Sequence, residues 1–124
     1  MRLFLAVAAV LAWLIGGMLL VAPGPFYAPL EIEMTPKIAA MGQAQGAILV
    51  GLGLINWMAR DAEPRGLLAV LAGNALIQVL SLAVAVRIAM LAPKAAGSVG
   101  IHVVLGALYV VFLVRARRAA AIPR

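Results

Sequence analysis

Residues 3–22 read "LFLAVAAVLAWLIGGMLLVA", a run without a single charged side chain. An α-helix rises ~1.5 Å per residue, so about 20 apolar residues cover the ~30 Å hydrocarbon core of a bilayer. A water-soluble core asks for an apolar stripe on a helix, not for a helix apolar all round. Residues 37–59, 66–91 and 98–114 repeat the pattern, with charge only near their ends. The expected fold class is therefore all-α: an integral membrane four-helix bundle of up-down-up-down topology, in a single transmembrane domain over residues 1–124.

Composition points the same way. Of 124 residues, 66% are hydrophobic and only 11% charged, with a mean hydropathy of +1.13. A soluble domain runs nearer half apolar and a quarter charged. The net charge is +6, but the basic residues stand at segment ends, where they report topology and contact with anionic headgroups. Aromatic residues are few and not interleaved with them, so nucleic acid is not an expected partner. The absence of cysteine excludes disulfides, thiolate metal sites and thiol redox chemistry within the chain. Residues 3–22 follow a basic Arg2 as a signal peptide would. The apolar run is too long for one, and no small-x-small site precedes "PGP" at 23–25, so a retained span is expected.

Boundaries are marked by ordinary punctuation. Thr35-Pro36 opens the second span, with threonine as cap and proline in the first turn. "APKAAGS" (92–98) ends the third at Pro93 and Gly97, and Arg115, Arg117 and Arg118 follow the fourth. The outer loop 23–36 is stiffened by Pro23, Pro25, Pro29 and Pro36, with Phe26 and Tyr27 at headgroup depth. Its Glu31 and Glu33 read as solvated surface rather than as a metal or acid–base pair. The connections "RDAEPR" (60–65) and "APKAAGS" are short, so consecutive helices should be antiparallel neighbours. With both termini cytoplasmic, Arg2, Arg60, Arg65, Arg115, Arg117, Arg118 and Arg124 lie inside, against Lys37, Arg87 and Lys94 outside. That bias is the one expected of a cytoplasmic face. Arg115, Arg117 and Arg118 should rest on anionic lipid headgroups, while Arg87 snorkels outward.

Polar residues inside the spans are the internal lead to function. In "LAGNALIQVLSLAVAVR" (71–87), Asn74, Gln78 and Ser81 share one face at ~100° per residue. On the second span Gly42, Gln45, Gly46, Gly53 and Asn56 fall within a similar arc, and Gly42 and Gly46 form a small-xxx-small spacing. On the fourth, Ser98, His102, Gly106 and Tyr109 line up, and the first offers Ala12 and Gly16 with Trp13 beside them. Depth counted at ~1.5 Å per residue brings Gln45, Gln78, Ser81 and His102 within about two turns of one another, as an outer-half polar cluster. Asn56, Asn74 and Tyr109 form a deeper layer. Ala12, Gly16, Gly42, Gly46, Gly53 and Gly106 are the expected helix-packing positions.

Two uses of the cluster compete. Amides and glycines at helix interfaces ordinarily hydrogen-bond across helices and fix register, at ~0.6 to 2 kcal/mol per contact. Alternatively the cluster lines a cavity for a small polar ligand, an ion or a quinone headgroup. His102 is the sole histidine, so bis-histidine haem would need a second one from elsewhere. Packing with a hydrogen bond to Gln78 or Ser81 is its expected role. No Ser-His-Asp arrangement at one depth, paired buried carboxylates or phosphate loop is found, so no catalytic residue, metal site or cofactor is expected.

Known small membrane families help by contrast. Small multidrug resistance transporters resemble the chain in length and helix count but depend on a glutamate in the first helix, and residues 3–22 hold no acid. Small fluoride channels are also four-helix chains of this length, but their glycine-arginine and phenylalanine-threonine patterns are not found. Bundle-type thiol oxidases need cysteines. The whole chain resembles small bacterial inner-membrane proteins, most recognisably in "GLGLINWMARD" (51–61), a general likeness that brings no activity with it. The expectation is a non-enzymatic, multi-pass inner-membrane protein that packs against itself or serves a larger membrane complex, with lipid and other transmembrane helices as partners. The alternative is a small transporter or ligand-binding protein using the outer cluster.

Overall fold

The structure, a computed structural model, describes residues 1–121; Arg124, counted above with the inner charges, lies outside the described residues. Among these there is no strand. The helices are α1 (Arg2–Val21), α2 (Gly24–Tyr27), α3 (Pro36–Ala59), α4 (Pro64–Leu91) and α5 (Gly97–Ala120), with 3-10 turns at Ala28–Leu30 and Pro93–Ala95. All but α2 are long and apolar enough to cross a membrane. By composition they mark an integral membrane protein.

Local chemistry explains the boundaries. Thr35 Oγ1 accepts the Ile38 N–H at 3.3 Å and Pro36 occupies the first turn of α3, where a missing N–H costs nothing. Pro64 does the same for α4. The segment 23–36, expected as a loop, contains α2 and a 3-10 turn instead. Pro25 and Pro29 sit in their first turns, where a preset φ favours winding. The turn stops at Glu31, whose left-handed φ of 57° is unique among the described non-glycine residues. Helix α5 continues to Ala120, beyond the expected end at 114. No glycine or proline interrupts residues 107–120, and arginine and alanine are strong helix formers.

The chain divides into two compact units, Met1–Asp61 and Ala62–Arg124. In the first, α1 packs on α3. Arg2 pairs with Asp61 at 3.1 Å, Trp13 Nε1 donates to Val50 O at 3.1 Å, and Gln43 Nε2 donates to Leu20 O at 3.3 Å. As one partner advances the other recedes, which is an antiparallel register. In the second unit α4 packs on α5, joined through the turn at Pro93–Ala95.

The first helices of the two units bury largely matching positions. Leu5, Ala8, Ala9, Ala12 and Leu19 of α1 are buried, and so are Leu71, Asn74, Ala75, Gln78 and Ala85 of α4, each 66 positions further on. On the second helices Gly53 and Asn56 correspond, at 53 positions, to Gly106 and the buried Tyr109. In this register Gln78 stands where the first unit has Ala12, and His102 where it has Leu49. Leu82 and Val99 stand where it has Gly16 and Gly46.

Candidate functional site

The seam of the first unit is closed main chain to main chain. A Cβ added at Gly46 would come within 2.6 Å of Gly16 O and 2.9 Å of Leu20 N, and one at Gly16 within 2.8 Å of Gly46 O. These neighbours are backbone and cannot step aside. Two turns on, a Cβ at Gly53 would lie 2.5 Å from the Trp13 ring and 3.0 Å from Ala9 O. The indole N–H, satisfied by Val50 O, holds the ring over that glycine. Ala12 is buried on the same face of α1.

Gly42 has a different neighbour from the one its spacing suggests. Its added Cβ would meet Pro23 Cβ and Tyr27 Cε2 at 2.8 Å, so this glycine seats the segment leading into α2 rather than a long helix. The Tyr27 hydroxyl donates to Gln45 Oε1 at 3.4 Å. Gln45, expected in the outer cluster, is exposed and engaged within its own unit. Near the other end of α3, the Trp57 ring meets Trp13 at a tilt of 41° with 5.4 Å between ring centroids, and the Arg60 guanidinium lies 3.3 Å over the Trp57 ring.

The seam of the second unit is polar. His102 Nδ1 lies 2.7 Å from Gln78 Oε1, a hydrogen bond from α5 to α4. Gln78 and Asn74 are buried, and Asn74 Nδ2 donates to Val70 O of its own helix at 2.9 Å. Tyr109 is almost wholly buried. Gly106 faces Gln78, but its added Cβ would meet Gln78 Cβ only at 3.4 Å, an ordinary contact. Beside the His102–Gln78 pair a partly open groove of about 190 Å³ runs along Leu82, Val103, Gly106 and Val110. In the register of the two units, Leu82, which lines this groove, and Val99 stand where the first unit has Gly16 and Gly46.

Of the four residues expected in the outer cluster, Gln78 and His102 are brought together. Ser81 sits one turn along α4, half-buried, and Gln45 bonds Tyr27. In the deeper layer Asn74 and Tyr109 are buried in the second unit and Asn56 in the first. Arg115, Arg117 and Arg118 are exposed and lie within α5, around the buried Ala116. Sequence reasoning undervalued Trp13, which explains Gly53. The signal was present as an indole and a glycine on facing helices, but it becomes legible only with the register. Among the described residues no group of three histidine, cysteine or acidic side chains is close enough to hold a metal ion. Comparison of the chain with protein-family models, with curated proteins and with solved structures gives no match.

Proposed function

We propose that the chain is a four-span, non-enzymatic membrane protein that associates through its helix faces, with itself or with the helices of a larger complex. One observation carries this reading. Gly17, Gly51, Gly73 and Gly100 all have open space where a side chain would begin, on helices long and apolar enough to cross a membrane. A glycine against lipid contributes nothing to packing and lowers helix propensity; against a partner helix it permits close approach. Native mass spectrometry from mild detergent tests it. Oligomers or a stable co-purifying membrane protein are expected, and a clean monomer overturns the reading.

The proposed arrangement is up-down-up-down, with both termini cytoplasmic in a bacterial inner membrane. The bias of basic residues supports the orientation, and the resemblance of the whole chain supports the membrane. Reporter fusions at residue 62 and at the C-terminus should read cytoplasmic, and one at residue 31 should not. A cytoplasmic signal at 31 overturns the orientation.

A second reading, ligand binding, is favoured by the groove of the second unit. Its polar partners reduce to Gln78 and His102.

A further inference from the structure

We propose that residues 24–34, between α1 and α3, lie in the lipid headgroup layer as an interfacial anchor, with Phe26, Ile32 and Met34 turned to the acyl boundary and Glu31 and Glu33 to water. The inference goes beyond association through helix faces and does not depend on it.

The level of the segment against the spans fixes its place. Gln43 Nε2 donates to Leu20 O at 3.3 Å, and Pro23 and Tyr27 pack on Gly42. The end of α1 and the start of the segment thus stand level with Gly42 and Gln43 of α3. Helix α3 begins at Pro36, roughly 9 Å from Gly42 at ~1.5 Å per residue. The headgroup layer is about 5–7 Å thick on each side of the hydrocarbon. With α1 crossing that hydrocarbon in its 20 residues, α3 begins near the water edge. The whole segment climbs through the headgroup layer between the two.

The side chains suit that place. Phe26, Ile32 and Met34 are exposed at 41%, 42% and 39%, three large apolar groups within nine residues of chain. Such a cluster on a surface marks contact with a membrane or a partner. Val21, which closes α1, and Met41, in the second turn of α3, are exposed as well, so the apolar surface of the spans reaches the segment from both sides. Tyr27 is half-buried, its ring against Gly42 and its hydroxyl on Gln45. It fastens the segment to α3 and leaves the interfacial aromatic role to Phe26. From the left-handed turn at Glu31 onward, acidic and apolar residues alternate through Met34 in a stretch without helix. Extended chain sends successive side chains to opposite sides, one side for lipid and one for water.

The chain has no cysteine, so a single cysteine at position 26, 31, 32, 33 or 34 carries an environment-sensitive fluorophore without competing sites. All five positions are exposed, so the label displaces no packed side chain. The full chain is placed in phosphatidylcholine nanodiscs, and each label is quenched by nitroxide-bearing lipid or by aqueous iodide. Labels at Phe26→Cys, Ile32→Cys and Met34→Cys should emit to the blue and respond to the lipid quencher. Labels at Glu31→Cys and Glu33→Cys should emit to the red and respond to iodide. The same fluorophore is used throughout, so a difference between neighbours belongs to the chain and not to the label. Iodide quenching at all five positions overturns the proposal and points to a soluble partner for the apolar side chains. Equal lipid quenching at 31, 32, 33 and 34 overturns the division into two faces.

Discussion

The two units solve one packing problem in opposite ways. Both bury largely matching positions along their first helices, except that Gly16 is buried and Leu82 only half-buried, and both place a glycine, Gly53 or Gly106, on the facing helix. In the first unit Gly16 and Gly46 let the main chains touch, and the Trp13 indole covers Gly53 while bonding Val50 O. In the second, larger residues take the glycine positions, and a buried amide and an imidazole cross the seam at 2.7 Å. Close backbone approach yields dispersion contact directly between main chains. A spaced seam needs side chains to set its register, and it leaves a groove. Similar burial along one helix therefore does not imply similar interfaces.

The largest expected effect comes from breaking the main-chain contact. Gly46→Ala forces a methyl group against Gly16 O and Leu20 N, with no flexible neighbour to yield, and should cost about 3 kcal/mol. Thermal unfolding in detergent, read at the Trp13–Trp57 pair of the same unit, would measure it. Gly53→Ala is expected next, at about 2 kcal/mol, because its obstacle is a side chain, though one held by a hydrogen bond. Its cost should shrink in a Trp13→Leu background, and an unchanged cost would remove the indole from the explanation.

In the second unit a double-mutant cycle of Gln78→Leu and His102→Leu should return a coupling of about 1 kcal/mol, within the range measured for interhelical hydrogen bonds in membranes. Zero coupling would leave the seam to packing alone. The smallest effect is the most diagnostic. Gly106→Ala should lie within about 0.5 kcal/mol of neutral, since an ordinary contact offsets the helix propensity gained. A penalty like that of Gly46→Ala would show the two seams to be alike.

Much of the fold was legible in the sequence, because apolar runs of bilayer length and the Thr35-Pro36 cap are local signals. The winding at 24–30 was hidden by prolines that read equally as loop stiffeners or as first-turn residues. The extension of α5 was hidden because arginines signal the end of an apolar segment, not the end of a helix. The site was legible in residue type but not in partnership. Helical rotation put Gln78 and His102 on inward faces, yet depth counting also drew in Gln45, which Tyr27 engages from the folded loop. Gly42 looked like a helix-packing glycine because spacing cannot reveal that Pro23 and Tyr27 arrive there first. Register between helices is a long-range property, and neither the Trp13–Gly53 contact nor the substitution of Leu82 and Val99 for glycines has meaning before it is known.

The contrast between a backbone seam and a side-chain seam can be read directly from proton–proton contacts. In the labelled full chain, a nuclear Overhauser effect between the α-protons of Gly16 and Gly46 reports main-chain approach, and the corresponding pair is Leu82 and Val99. A strong cross-peak is expected for the glycines and none for Leu82 and Val99. Its absence between Gly16 and Gly46, or its presence in both units, would contradict the account.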